Sequence, residues 1–334
     1  MKEKITIIGA GSWGTTLAVV LAHKGVFVEL HSVFSDHNLA MQRVGENKLF
    51  LKGTKFPKTL KVNLSLKASL DNEIIILAIP VKYIRSVLKE INKQRINLKK
   101  KIFVSISKGI EVKSLKRVSQ IVCQELGVSN LSVLSGPNIA KEVLAGVPSA
   151  SILVSRSKKI GKRLQLLFNT QTFRVYQHKD IIGVELGGAL KNIIALACGI
   201  GDGLGLGINS KSALITRGLA EITRLGVALG AKASTFWGIS GLGDLVTTCF
   251  SPHSRNRSFG EEIGKGKKVS QVLGKMKMVA EGVETAKSAY RLSKKLKIDT
   301  PIIKEVYSVL YKNKSAKSAV NDLMKRPLKE EKLV

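Results

Sequence analysis

The stretch Ile5-Thr6-Ile7-Ile8-Gly9-Ala10-Gly11-Ser12-Trp13-Gly14 decides the fold. A short β-branched run leads straight into a G-x-G-x-x-G, and residues 15–22 continue with the spacing of a helix. A bare G-x-G-x-x-G arises by chance in many chains. Between a strand and a helix, at the start of a βαβ unit, it has a physical purpose: the glycines permit a tight turn and let a pyrophosphate approach the amides of a helix N-terminus. Gly9, Gly11 and Gly14 are therefore candidate contacts to a dinucleotide, NADH or NADPH. The second strand, Val26-Phe27-Val28-Glu29-Leu30, runs on into His31-Ser32 and carries no acid at its tip. Glu29 lies inside the strand, where an edge residue and a ribose ligand are equally accommodated, and His31 or Ser32 is placed to meet a 2′-phosphate. The choice between the two cofactors stays open.

Outward from this unit, apolar runs at 74–79 and 102–106 alternate with amphipathic segments. Further strand candidates stand at 131–134, 151–154 and 173–176, with helix-like stretches at 115–126 and 160–168. Such alternation predicts an α/β Rossmann-type doubly wound parallel sheet. Near Gly183 the pattern changes to a long apolar stretch rich in small residues, which predicts a buried central helix. Helical periodicity then recurs at 213–229, 283–296 and 303–311, joined by Gly-rich connections and without strand patterning. The expected organisation is a dinucleotide-binding Rossmann domain at 1–182 followed by an all-α substrate and catalytic domain at 183–334.

The 334 residues are 44% hydrophobic and 24% charged, a balance that excludes a disordered chain. Lys plus Arg number 55 against 24 Asp plus Glu, a formal charge of +31. Such an excess invites a nucleic acid or an anionic membrane as partner. Its lysines, however, are scattered, with only short clusters at 99–101, 265–268 and 294–297, and aromatic residues make up 5%, too few for a base-stacking platform. No nucleic-acid partner is expected, and the charge reads as solvated lysine that also steers anionic substrates. Cys123, Cys198 and Cys249 are far apart and show no metal-ligand spacing, which fits reduced thiols and no metal site. The uncharged stretch 5–21 resembles a signal-peptide core until its glycines and hydroxyls are counted against it, and no other stretch approaches a span. A cytoplasmic protein without a membrane span is the expectation.

Several residues stand out as candidates for chemistry. Lys108, in Ser107-Lys108-Gly109, follows a strand whose carboxyl end faces the ligand crevice of an open sheet, so a solvated lysine and a functional one weigh about evenly. Ser135-Gly136-Pro137-Asn138 forms a second turn that lets backbone amides approach a ligand, or a plain loop with a helix cap. Lys191 lies in the apolar stretch among Gly187, Gly188, Ala189, Ile193 and Ile194. A buried ammonium is costly, and its desolvation lowers the pKa toward the range of a general acid or base. The alternative is a lysine snorkelling from a helix edge. Asp244, in Gly241-Leu242-Gly243-Asp244-Leu245, is the natural carboxylate partner, or else a helix cap. Ser254-Arg255-Asn256-Arg257 opens a helix, where Arg255 and the terminal amides suit a phosphate or carboxylate.

Taken in order, the glycine turn, Lys108-Gly109, Ser135-Gly136-Pro137, residues 183–192, Ile215-Thr216-Arg217-Gly218, residues 241–245 and Ser254-Arg255-Asn256 closely resemble NAD(P)-dependent glycerol-3-phosphate dehydrogenase of the bacterial biosynthetic type. The resemblance covers nearly the whole chain. It implies reversible reduction of dihydroxyacetone phosphate to sn-glycerol 3-phosphate, the backbone donor for glycerophospholipid synthesis, by a cytoplasmic homodimer. By the same resemblance Lys191 is the proton donor and acceptor, Lys108 binds substrate and cofactor, and Asp244 lies beside the substrate. Ser254, Arg255 and Asn256 hold the phosphate, Gly136 and Asn138 line the substrate site, and Ser12, Trp13, Ala140, Arg255, Val279 and Glu281 match cofactor contacts. After the second strand the chain departs from its relatives, with His31-Ser32-Val33-Phe34 where an arginine or histidine often follows an aromatic residue, and His31 is the remaining cofactor candidate there.

Overall fold

A computed structural model describes residues 3–129, 131–276, 280–328 and 330–331. The chain divides into two compact units, one formed by Met1–Ser107 with Val118–Lys179 and the other by Lys108–Arg117 with Asp180–Val334. The ten-residue excursion Lys108–Arg117 thus groups with the helical unit, whereas the sequence reading ran the first domain unbroken to 182.

Among the described residues the first unit holds an eight-stranded sheet in the order β3-β2-β1-β4-β5-β6-β7-β8. Its strands are β1 Lys4–Ile8, β2 Phe27–His31, β3 Leu60–Val62, β4 Ile74–Leu77, β5 Ile102–Ser105, β6 Leu131–Ser135, β7 Ser149–Ser155 and β8 Phe173–His178. In β4, Ile74 and Ile76 join the core on one face while Ile75 and Leu77 join the core on the other, so all four are buried. Burial on both faces is why the run reads as unbroken isoleucine and leucine instead of alternating with polar residues.

Two features depart from the expected parallel sheet. β3 is a three-residue edge strand in a lysine-rich stretch, too short to announce itself. β7 pairs antiparallel with β6, with Val133 opposite Val154, while every other pairing is parallel. The helix between β6 and β7, Ala140–Leu144, has five residues. It spans only about 7 Å, so the chain does not travel back along the seven-residue β7 as a parallel crossover requires. The eleven-residue helix Lys158–Phe168 does, and it returns the chain to a parallel β8.

The second unit is built around the helix Ile181–Gly203, in which every residue from Gly183 to Gly201 is buried. Asp180 caps it: one carboxylate oxygen accepts from Gly183 N at 2.9 Å, and the other from Lys232 N at 2.8 Å and Thr235 Oγ1 at 2.7 Å. Contrary to the expectation that no stretch beyond 5–21 approaches a span, this helix is long and apolar enough to cross a membrane. Its most apolar window is 83% buried inside the protein, where it forms the core.

Helix Arg255–Gly264 crosses this central helix at very close range. A Cβ on Gly199 would lie 2.0 Å from Arg257 O, one on Gly203 2.2 Å from Glu261 O, one on Gly260 2.2 Å from Leu196 O and one on Gly264 2.3 Å from Ile200 O. Two glycine pairs, each spaced by four along its helix, let the two backbones touch. All three cysteines are free thiols, with Cys198 and Cys249 buried in this core.

Candidate active site

In the first unit the glycine turn has the close packing its sequence requires. Gly9, at φ +113°, would place a Cβ 2.3 Å from Ala78 O, and one on Gly14 would fall 2.1 Å from Gly9 O. Gly11, by contrast, caps the helix Ser12–His23 with nothing within 4 Å of its Cβ position. A cradle closed on one side and open at the helix N-terminus fits a dinucleotide pyrophosphate. Trp13 packs beside Phe173, and its indole Nε1 is buried without a hydrogen-bond partner among the described residues. The Ser12 hydroxyl donates to Phe50 O at 2.9 Å.

The tip of β2 behaves otherwise than expected. The backbone of His31 does lie against the turn, since Gly9 N donates to His31 O at 2.8 Å. Its ring points inward, 6% exposed, with Nδ1 at 2.9 Å from Asn63 O. Burial pushes its pKa below the ordinary histidine value, and the bond to Asn63 only partly opposes that. The ring read as a cofactor candidate is thus buried and held by Asn63 O, in surroundings that disfavour its charged form. Ser32 is likewise engaged: its N–H donates to Asn38 Oδ1 at 2.6 Å, its carbonyl accepts from Asn38 Nδ2 at 2.7 Å, and its hydroxyl accepts from Phe34 N.

Asn47, absent from the sequence reading, staples the following loop to the glycine turn. Its Nδ2 donates to Ala10 O at 2.8 Å and Thr15 Oγ1 at 2.7 Å, and its Oδ1 accepts from Phe50 N. No local pattern marks such an asparagine. On the second turn Gly136 has φ +150°, and Asn138 Oδ1 accepts from Ser151 Oγ at 2.7 Å. Asn138 Nδ2 is buried without a partner among the described residues, and Ala140 opens the short helix that follows.

In the second unit three of the sequence-predicted residues meet directly. Lys191 Nζ donates to Asp244 Oδ1, and Lys108 Nζ donates to Asp244 Oδ2 at 2.7 Å. The side chains of Asp244, Lys191 and Lys108 are 1%, 7% and 17% exposed. Gly187, one helical turn before Lys191, makes room for the Ile239–Gly243 turn, because a Cβ there would lie 2.8 Å from Ser240 O. That turn runs into the helix Asp244–Phe250 and so delivers the carboxylate over Lys191. Thr248, which sequence reasoning missed, completes the group: its Oγ1 accepts from Lys191 Nζ at 2.7 Å and donates to Asp244 O at 2.6 Å. The only available signal was its place one turn after Asp244.

Two ammonium groups on one carboxylate leave an excess of positive charge in a site nearly closed to solvent. Desolvation lowers the Lys191 pKa to about 8; Asp244 pulls it back up, and the neighbouring charge of Lys108 pushes it further down. Such a group exchanges a proton near neutral pH, and the pair attracts an anion.

Ser254 caps the helix Arg255–Gly264, its Oγ accepting from Arg257 N at 3.2 Å. Arg255 is exposed in the first turn, whereas Arg257 turns back to Asp202, with Nε at 2.7 Å from Oδ2. Asn256 is buried and its Oδ1 accepts from Gly282 N at 3.0 Å, which ties this helix start to that of Glu281–Leu296. Desolvation pushes the Glu281 carboxyl up to about 7, opposed by the charges of Arg255, Lys108 and Lys191. Val279 lies outside the described residues.

The N-terminal model of NAD-dependent glycerol-3-phosphate dehydrogenase matches residues 4–160, and the C-terminal model of the same family matches residues 180–321. A glycerol-3-phosphate dehydrogenase [NAD(P)+] of Citrifermentans bemidjiense is 49% identical over 99% of both chains. That of Geobacillus kaustophilus is 48% identical over 98% of this chain and 96% of its own. The crystal structure of glycerol-3-phosphate dehydrogenase from Coxiella burnetii superposes with a TM-score of 0.93 at 40% identity, covering 97% of this chain and 99% of that one. With a glycine cradle in one unit and a doubly charged lysine pair on a buried carboxylate in the other, the chain belongs to the NAD-dependent glycerol-3-phosphate dehydrogenase family.

Proposed function

We propose that the lysine pair on Asp244 is the catalytic centre for reversible, NAD(P)H-dependent reduction of dihydroxyacetone phosphate to sn-glycerol 3-phosphate. The observation that carries the assignment is Lys191: a buried amine with a pKa lowered to about 8, held by Asp244 and Thr248. The reduced nicotinamide, when bound, supplies the hydride that C2 of the ketone receives. Lys191 Nζ gives its proton to the C2 oxygen and takes it back in the reverse direction. Lys108 stabilises the negative charge that develops on that oxygen, and Asp244 keeps both ammonium groups in place through its two carboxylate oxygens. Gly136 and Asn138 complete the substrate contacts.

Arg255, with Ser254, Asn256 and the first amides of their helix, takes the phosphate. Binding energy from that remote group orients the carbonyl. The dinucleotide is assigned to Gly9, Gly11, Ser12, Trp13, Gly14 and Ala140 in the first unit and to Lys108, Arg255, Val279 and Glu281 in the sequence of the second half and the excursion. From the family we also carry over a cytoplasmic location and a homodimeric state, the second of which sedimentation at working concentration tests.

The deciding experiment follows the nicotinamide absorbance on mixing purified protein with dihydroxyacetone phosphate, with NADH and NADPH in parallel. Oxidation that depends on the phosphorylated ketone is expected, and dihydroxyacetone without the phosphate should lose turnover as well as affinity. Absence of turnover with either cofactor in folded protein would sink the proposal. The pH dependence has a definite sign. Reduction needs Lys191 protonated, so kcat/KM for the ketone should fall as pH rises through about 8; oxidation of glycerol 3-phosphate needs the neutral amine and should rise through the same range. Profiles with parallel slopes in both directions would contradict the role of Lys191.

A further inference from the structure

Lys108 is the one member of the charged triad that does not sit on a helix, and its position depends on how the excursion Lys108–Arg117 is anchored. The chain leaves β5 at its carboxyl end and turns at Gly109, φ +155°. It closes on itself where Ile110 bridges Arg117 and Glu111 N donates to Lys116 O at 3.0 Å. Leu115, at φ +59°, makes the return turn. A ten-residue loop of this kind has no ladder of its own to fix it.

Contacts along its length dock it on the helical unit, Leu115 packing against that unit's core among them. Ile110 is buried in that unit's core, and its carbonyl accepts from Ser288 Oγ at 2.9 Å. Val112 O accepts from Arg291 Nη1 at 3.2 Å. Arg117, at the loop's far end, donates to the Glu185 carboxylate, the two side chains being 14% and 5% exposed. Glu185 stands on the same helix as Lys191, in a stretch from Gly183 to Leu190 that is otherwise apolar or glycine. A carboxylate buried there is costly unless it has a use.

We propose that the Arg117–Glu185 ion pair is a positioning latch: by pinning the closing end of the loop to the helix that carries Lys191, it sets the place of Lys108 against Asp244. The inference rests on the catalytic reading of that triad. Arg117 and Glu185 act through the placement of Lys108, so both are positioning residues. Their influence reaches Lys191 as well, because the Lys108 charge helps hold the Lys191 pKa down. The titratable groups that act on Lys191 are Lys108, Asp244, Cys249 and Glu281, and Thr248 adds an uncharged hydroxyl; among them Lys108 rides on the loop.

The test is Glu185→Gln in the full chain. A misplaced catalytic charge costs between about tenfold and a hundredfold in kcat/KM for dihydroxyacetone phosphate, and that loss is expected. The alkaline limb of the reduction profile should move to higher pH as Lys108 withdraws. Amine labelling of Lys108, read by peptide mass, should rise severalfold while that of exposed Lys99 stays constant. The swapped pair Arg117→Glu with Glu185→Arg should restore part of all three. Ser288→Ala, which loosens the other anchor, should move them in the same direction and serves if Glu185→Gln does not fold. A lower melting temperature with an unmoved pH limb and unchanged Lys108 labelling would reduce the pair to a structural tie and overturn the proposal. Labelling needs no turnover, so the latch stands or falls even if the wild-type protein leaves dihydroxyacetone phosphate untouched, a result that would defeat the functional reading alone.

Discussion

Lys191→Met leaves a folded protein whose rate of dihydroxyacetone phosphate reduction falls by about 10²- to 10⁴-fold, the usual contribution of a positioned general acid. Methionine keeps most of the aliphatic volume in a side chain only 7% exposed, so the core loses little packing. What disappears is the proton held by Asp244 and Thr248. Asp244 then serves Lys108 alone, with one ammonium for one carboxylate, and the excess positive charge is gone. KM for the phosphorylated ketone should therefore rise modestly beside the large fall in kcat. Melting temperature and steady-state kinetics on the same preparation decide it: near-normal kcat in a protein that melts like the wild type would remove Lys191 from the chemistry.

Gly260→Ala should be among the most destabilising single-methyl changes in the chain. Its Cβ would sit 2.2 Å from Leu196 O and 2.9 Å from Ile200 N, both backbone atoms of the central helix, so no side chain can move aside. Overpacking of this kind costs about 1–3 kcal/mol and occasionally more, and backbone-on-backbone contact belongs at the upper end. The helix pair must part, and Arg255 and Asn256 travel with the helix that moves, so KM for the phosphorylated substrate should rise too. Gly274→Ala is the control. It sits in the helix Val269–Lys275 with nothing within 4 Å of its Cβ position, and the gain in helix propensity should make it neutral or stabilising by about 0.5–1 kcal/mol. Denaturant midpoints for the two variants should shift in opposite directions or differ widely; equal small shifts would mean that the helices are not in backbone contact.

What could be read from sequence was local. The glycine turn, the buried strands and the central helix each carry their own periodicity or spacing, and Lys191 betrays itself as a charge in an apolar run. Pairings between distant segments leave no such trace. The antiparallel β7 follows from a connecting helix of five residues, a length that the residues around Ala140 do not declare. His31 reads as a cofactor candidate because it ends a strand, but the burial of its ring against Asn63, 32 positions away, has no local signal. Thr248 and Asn47 are polar residues whose partners are set by tertiary packing. Arg117 and Glu185 sit 68 positions apart, and neither is distinguished by its neighbours.

The excursion at Lys108–Arg117 makes the helical unit discontinuous in the chain. A polypeptide cut at Lys179 separates Lys108 from Lys191 and Asp244, whichever half is expressed. Fragments chosen at the apparent boundary would each inherit an incomplete charge set: the second would hold one ammonium on its carboxylate and lack a stretch that Ser288 and Arg291 normally grip. Shuffling the two halves among relatives therefore means exchanging that loop along with the helical half, or else pairing a borrowed Arg117 with a resident Glu185.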